Sequence, residues 1–184
     1  MTVHDMIAKT CDLDPGKDYN TEIIDGKLWV FFHASWSWRN WLRNFDVRTQ
    51  RCNDAKVHKG YLREYTDSGF VVRELETVFV GYSRGAAIAL LYYFACKNPI
   101  HHGVFNVKAI LIGAPRLFRQ LPQNFDISGI TTVTYGDDMV THLPPWFLTT
   151  PSAKHISLIS TTKWPFRRCK DHGQYGSSYV NIEV

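Results

Sequence analysis

No stretch of this chain approaches the ~20 consecutive apolar residues of a bilayer-spanning helix. Its longest apolar run, Ala86 to Cys96, reads as a buried helix instead. No long Lys/Arg run exists, and a net charge of +4 gives a nucleic-acid role little support. The four cysteines, Cys11, Cys52, Cys96 and Cys169, are scattered without metal-ligand pairing. With no phosphate-cradling glycine loop either, neither a metal nor a cofactor is expected. The opening residues, Met-Thr-Val-His-Asp-Met, lack the charged start and apolar core of a secretory signal. A cytoplasmic protein with reduced thiols is therefore the expectation, with release or a place in a virion left open. Repeats, low-complexity tracts and linkers are also missing, which points to one domain over residues 1–184.

What is present has the balance of a soluble globular protein, 45% hydrophobic and 21% charged, with a high aromatic share of 14%. The most informative segment is Gly81-Tyr82-Ser83-Arg84-Gly85. It lies between an apolar run, Val78-Phe79-Val80, and a helix-like stretch from Arg84 to Lys97. A strand, a G-x-S-x-G turn and a helix together lift a serine hydroxyl out of a sheet for nucleophilic attack. The turn is so sharp that side chains at its two glycine positions would collide with backbone.

The rest of the chain supplies a matching frame. Asp25-Gly26 between Ile23-Ile24 and Leu28-Trp29-Val30-Phe31-Phe32 signals a hairpin. Tyr61 to Leu75 reads as helix, weakened by Asp67-Ser68-Gly69. Val107 to Ile112 is a continuous apolar run, as a strand buried on both faces would be. Ile130 to Tyr135 and His155 to Ser160 are also strand-like. Strands interleaved with helices imply an α/β fold with a central, mostly parallel sheet flanked by helices.

A serine needs a base within hydrogen-bond reach and an acid to orient that base. In α/β-hydrolases the chain order is Ser, then Asp or Glu, then His. Downstream of Ser83 stand Asp137 and Asp138, just past the strand ending at Tyr135, and then His172. Strand carboxyl ends gather ligands in such sheets, which favours these two acids over Asp126 in its Pro- and Gln-rich loop. His101, His102, His142 and His155 compete for the base, each more simply read as a surface or core histidine.

Several blocks, in order from about Lys27 to Tyr179, resemble the class 3 (fungal-type) lipases of the α/β-hydrolase fold. Phe32-His33-Ala34-Ser35 followed by Arg39-Asn40-Trp41 is similar to that family's Arg-Gly-Ser/Thr block ending in Asn-Trp. Val57-His58-Lys59-Gly60-Tyr61 is similar to Val-His-x-Gly-Phe, and the elbow to Gly-His-Ser-Leu-Gly. Ile112-Gly113-Ala114-Pro115-Arg116 resembles Phe-Gly-x-Pro-Arg, and Asp138 to Pro145 resembles Asp-x-Val-x-x-Leu-Pro-Pro. Asp171-His172 with Tyr175 resembles the block of the last catalytic residue.

The resemblance implies Ser83 as nucleophile, His172 as general base and Asp138, selected by the Pro-Pro register, as the acid. It implies an oxyanion hole from the Arg84 and Ser35 N–H groups, with the Ser35 hydroxyl as a further donor, and a packing role for His58. It implies a compact, N-terminally shortened lipase variant that cleaves lipid carboxylic esters in lipase or phospholipase A1 fashion. An esterase or thioesterase for short acyl substrates is the alternative, and a catalytically inactive binding or virion protein the next.

Trp38, Trp41, Leu42 and Phe45 fall at i, i+3, i+4 and i+7, with Trp36 just before and arginines on the remaining surface. The resembled family carries its mobile lid here, so residues 35–50 are expected to be a lid that lines the substrate site and touches lipid transiently. Three positions depart from the family pattern: His33 for arginine, Ala34 for glycine and Arg84 for leucine. The Arg84 side chain could meet a substrate phosphate or carboxylate, or reach solvent.

Overall fold

The computed structural model describes residues 1–12, 18–34, 47–72, 76–97, 106–159 and 171–183. Asp25 and Gly26 both adopt positive φ, 51° and 74°, and so form the tight two-residue turn between β1 (Tyr19–Ile24) and β2 (Lys27–Phe32). From β2 the sheet continues through β5 (Thr77–Tyr82), β6 (Val107–Ile112), β8 (Ile130–Tyr135) and β9 (Lys154–Leu158). The order is β1-β2-β5-β6-β8-β9. Every pairing is parallel except that of the edge strand β1 with β2.

The central strands are apolar at consecutive positions because both faces are covered. Phe32, Phe79, Ala109 and Leu111 face a core built on α3 (Arg84–Lys97), a helix buried over most of its circumference. Phe31, Val78, Val80, Ile110, Ile112 and Val133 face the opposite core, which takes in Val3, Met6 and Ile7 of α1 (Val3–Cys11) and Tyr175. Thr2 and Asp5 start α1 with a reciprocal capping box. No helix among the described residues is long and apolar enough to cross a membrane.

Two expectations about element ends are corrected. The helix expected over Tyr61 to Leu75 is α2, Lys59–Ser68. It stops where Gly69 turns left-handed at φ +63°, and Ser68 Oγ donates back to Tyr65 O at 2.8 Å. The last strand runs Lys154–Leu158, and Ser160 lies outside the described residues.

A second, antiparallel sheet was not foreseen: β3 (Thr49–Cys52), β4 (Ala55–His58) and β7 (Phe118–Gln120), in the order β3-β4-β7. Thr49 and Gln50, the end of the expected lid span, belong to β3. Cys11, Cys52 and Cys96 are free thiols, while Cys169 lies outside the described residues.

Candidate active site

Ser83 stands between β5 and α3 at φ +56°, a left-handed conformation rare for a residue with a Cβ. Holding it there costs on the order of 1–3 kcal/mol, which the surrounding packing must over-determine. The two glycines show how. A Cβ on Gly81 would sit 2.2 Å from the Gly85 carbonyl carbon, and one on Gly85 would sit 2.5 Å from Phe32 O. Only bare backbone lets α3 start so close to β2 and β5. Ser83 N–H donates to Ile112 O at 2.9 Å and Ser83 O accepts from Ala86 N–H at 3.0 Å, fixing the turn on both sides.

His172 comes from the far end of the chain and meets this hydroxyl. Its Nε2 lies 2.9 Å from Ser83 Oγ, and its Nδ1 lies 2.8 Å from Asp138 Oδ2. A carboxylate can only accept, so Nδ1 carries the hydrogen and Nε2 of the neutral ring is left as an acceptor facing the serine O–H. The serine and the carboxylate are buried, and the imidazole is 20% exposed.

Asp138 follows β8 and opens a 3-10 turn, Met139–His142. Its Oδ1 accepts from Val140 N–H at 2.8 Å. Its Oδ2 accepts from Tyr175 O–H at 2.8 Å besides the His172 bond. Three donors therefore surround a buried carboxylate, which compensates its loss of water. The Tyr175 hydroxyl accepts in turn from Tyr135 N–H at 2.9 Å. Burial, followed by the neighbouring Asp138 charge, raises the Tyr175 phenol far above its ordinary value, so it remains a donor. Gly113, at φ +56°, makes room for this cluster: a Cβ there would meet Asp138 Oδ2 and the Tyr175 ring at 3.1 Å each.

Tyr82, just before the serine, stacks on the His172 ring with centroids 5.2 Å apart and planes 23° from parallel. Its hydroxyl donates to the His172 carbonyl. The imidazole is thus clamped through its face, its backbone and its Nδ1. Sequence reasoning gave Tyr82 no role and quoted Tyr175 without one. Their positions, one step before the serine and three after the histidine, were the signals available.

The competing residues have other partners. Asp137 occupies the turn after Gly136 and lies 3.5 Å from His142 Nε2. His155 is held between Thr132 Oγ1 at 2.9 Å and Thr134 Oγ1 at 3.1 Å. Asp126 pairs with Lys97 at 3.1 Å. His58 is buried, with its ring 4.4 Å from that of Tyr61. His101 and His102 lie outside the described residues.

Arg84 opens α3, so its N–H is among those without an intrahelical acceptor, at the positive end of the helix. Its side chain takes neither course left open by the sequence. Nη1 donates to Glu64 Oε2 of α2 at 2.7 Å, a half-buried ion pair that turns the guanidinium inward. Ser35, Trp36, Trp38, Trp41, Leu42 and Phe45 lie outside the described residues. No cluster of His, Cys, Asp and Glu fit to hold a metal occurs among the described residues.

Residues 29–148 match the model of the family Lipase (class 3). No curated protein matches the chain. Among solved structures, Rhizomucor miehei lipase in its propeptide complex aligns over 88% of this chain at 20% identity and a TM-score of 0.61. A fungal lipase–inhibitor complex aligns over 78% of this chain and 72% of its own, at 21% identity and a TM-score of 0.57. Mono- and diacylglycerol lipase from Aspergillus oryzae aligns over 84% of this chain and 80% of its own, at 17% identity and a TM-score of 0.52. The chain spans 66% of the Rhizomucor chain. At such identities the likeness is one of fold, an α/β-hydrolase sheet, while the family match covers most of the sequence: the chain belongs to the class 3 lipase family.

Proposed function

We propose that this chain is a single-domain serine hydrolase that cleaves carboxylic ester bonds of lipids through an acyl-enzyme. The observation that carries the reading is the continuous relay Ser83 Oγ–His172 Nε2, His172 Nδ1–Asp138 Oδ2 on an elbow that only glycines permit. Membership of a lipase family supplies the substrate class.

In the proposed cycle Ser83 Oγ attacks the ester carbonyl as its proton passes to His172 Nε2. Asp138 stabilises the resulting imidazolium without taking the proton itself. The carbonyl oxygen becomes an oxyanion, held by Arg84 N–H and, by family resemblance, by the Ser35 amide and hydroxyl. Each such donor is worth on the order of 3 kcal/mol of barrier. Collapse breaks the bond to the alcohol, which leaves with the proton from His172. Water, deprotonated by the same imidazole, then releases the fatty acid and restores Ser83. No step calls for a cofactor.

The finer substrate proposal is a triacylglycerol or phospholipid of phospholipase A1 type, reached with residues 35–50 acting as a lid. Solved neighbours are lipases, and one is described as a model for interfacial activation in lipases. Wild type and Ser83→Ala, given nitrophenyl esters and mixed phospholipid vesicles, test the chemistry. The proposal expects acid release by wild type alone, and equal cleavage by both proteins would overturn it. Assaying one ester below and above its solubility limit tests the lid: activity should rise sharply above the limit, and a smooth saturation curve contradicts it.

A further inference from the structure

The small sheet carries charge that the hydrolytic reading does not use. Lys56 lies between buried Ala55 and Val57, so its side chain points away from the core. Arg51 is its cross-strand partner and shares that face. Two like charges directly opposite repel, an arrangement that folding alone does not favour. Neither is ion-paired to a described residue, and the carboxylate of the intervening turn, Asp54, instead accepts from Gln123 N–H at 3.0 Å. On the other side of Lys56 lies Gln120 of β7, with exposed Arg119 next to it at a bulge.

An apolar rim continues this basic strip. Arg119 Nη1 donates to the Trp146 carbonyl, and Leu148 N–H donates to Phe118 O at 2.7 Å. Trp146 is 53% exposed and Leu148 42% exposed. Exposed tryptophan beside arginine and lysine is the composition of surfaces that rest in a lipid headgroup layer. Along the chain this rim comes shortly after the 3-10 turn opened by Asp138.

We propose that Arg51, Lys56 and Arg119 with Trp146 and Leu148 form a docking surface for anionic lipid bilayers. Four of these five residues lie outside the span 35–50 expected as a lid, and Arg51 directly follows it. The cations supply long-range attraction to the headgroups, and Trp146 and Leu148 insert once contact is made. A bilayer suits this surface better than nucleic acid because the apolar groups stand beside the cations instead of forming a stacking platform among them. The idea goes beyond ester hydrolysis, and its test does not need turnover.

The Ser83→Ala chain is sedimented with vesicles of pure phosphatidylcholine, or of phosphatidylcholine with about one-third phosphatidylglycerol, at low and high salt. Binding is expected to the anionic vesicles, to weaken with salt, and to fall by about fivefold for each cation removed in Arg51→Gln/Lys56→Gln. Trp146→Ala should weaken binding at both salt levels. With Ser83 intact, these variants should hydrolyse a soluble nitrophenyl ester at the parental rate and melt no lower than the parent, the charge variant slightly higher because the cross-strand repulsion is gone. The proposal is overturned if the parent ignores vesicles, if it binds neutral and anionic ones alike, if the variants bind as the parent does, or if it binds duplex DNA and not vesicles. Failure of ester hydrolysis alone would leave the vesicle result standing.

Discussion

Tyr175 donates to the same oxygen of Asp138, Oδ2, that accepts from His172 Nδ1. Tyr175→Phe removes one donor from the carboxylate and the hydroxyl that accepts from Tyr135 N–H. It should cost about 1–3 kcal/mol of stability. Under the proposed mechanism kcat/KM should fall about tenfold, whereas Asp138→Asn should lower kcat by about 10^4-fold through the wrong histidine tautomer. Denaturant melts and ester kinetics on the two variants separate these effects.

Two glycine substitutions should behave very differently. Gly69→Ala meets open space and carries only the penalty of its left-handed φ, about 1 kcal/mol. Gly85→Ala drives a methyl group into the Phe32 carbonyl at 2.5 Å, and neither backbone segment can move without opening the elbow. Soluble, near-native Gly69→Ala beside unfolded or inactive Gly85→Ala is the expected outcome in circular dichroism and activity.

Glu64 and Arg84 should show strong coupling. Burial pushes the Glu64 carboxyl up, offset in part by Arg84, and removing Glu64 leaves a guanidinium turned inward without its partner. Glu64→Leu should cost about 3 kcal/mol, and Arg84→Leu added to it should recover most of that loss. A double-mutant cycle with no recovery would mean that the pair does not hold α2 against α3.

The tyrosines set the alkaline limit. Burial raises Tyr61, Tyr82 and Tyr175 well above the ordinary phenol value and Tyr65 up to about 12. Folded phenols keep protons that unfolded ones lose, so this contribution is complete below the ordinary value of 10.0 and fades as pH rises through about 12. Stability should therefore fall steeply above pH 10.0, with much of the phenolate absorbance appearing only on unfolding.

The elbow was legible because its geometry tolerates few residues: Gly81 and Gly85 are required by contacts of 2.2 and 2.5 Å. The hairpin at Asp25-Gly26 and the apolar central strands were legible for similar local reasons. The small sheet was not. β3 exposes three of its four residues, and β7 is only three residues long, so neither gives a readable alternation. The sequence named Ser83, Asp138 and His172, and the structure places them in one relay. The aromatic clamp was hidden because Tyr82 and His172 are 90 residues apart, with no local pattern linking them. The ion pair of Arg84 with Glu64 was hidden for the same reason.

The central claim is that Ser83 is the activated nucleophile. Its most direct test is covalent trapping with a nitrophenyl alkylphosphonate, read by intact mass and peptide mapping on wild type, Ser83→Ala and His172→Ala. One adduct per chain on Ser83 is predicted in wild type, none in Ser83→Ala, and strongly slowed labelling in His172→Ala. Labelling at another residue, or at equal rates in wild type and His172→Ala, would contradict the account.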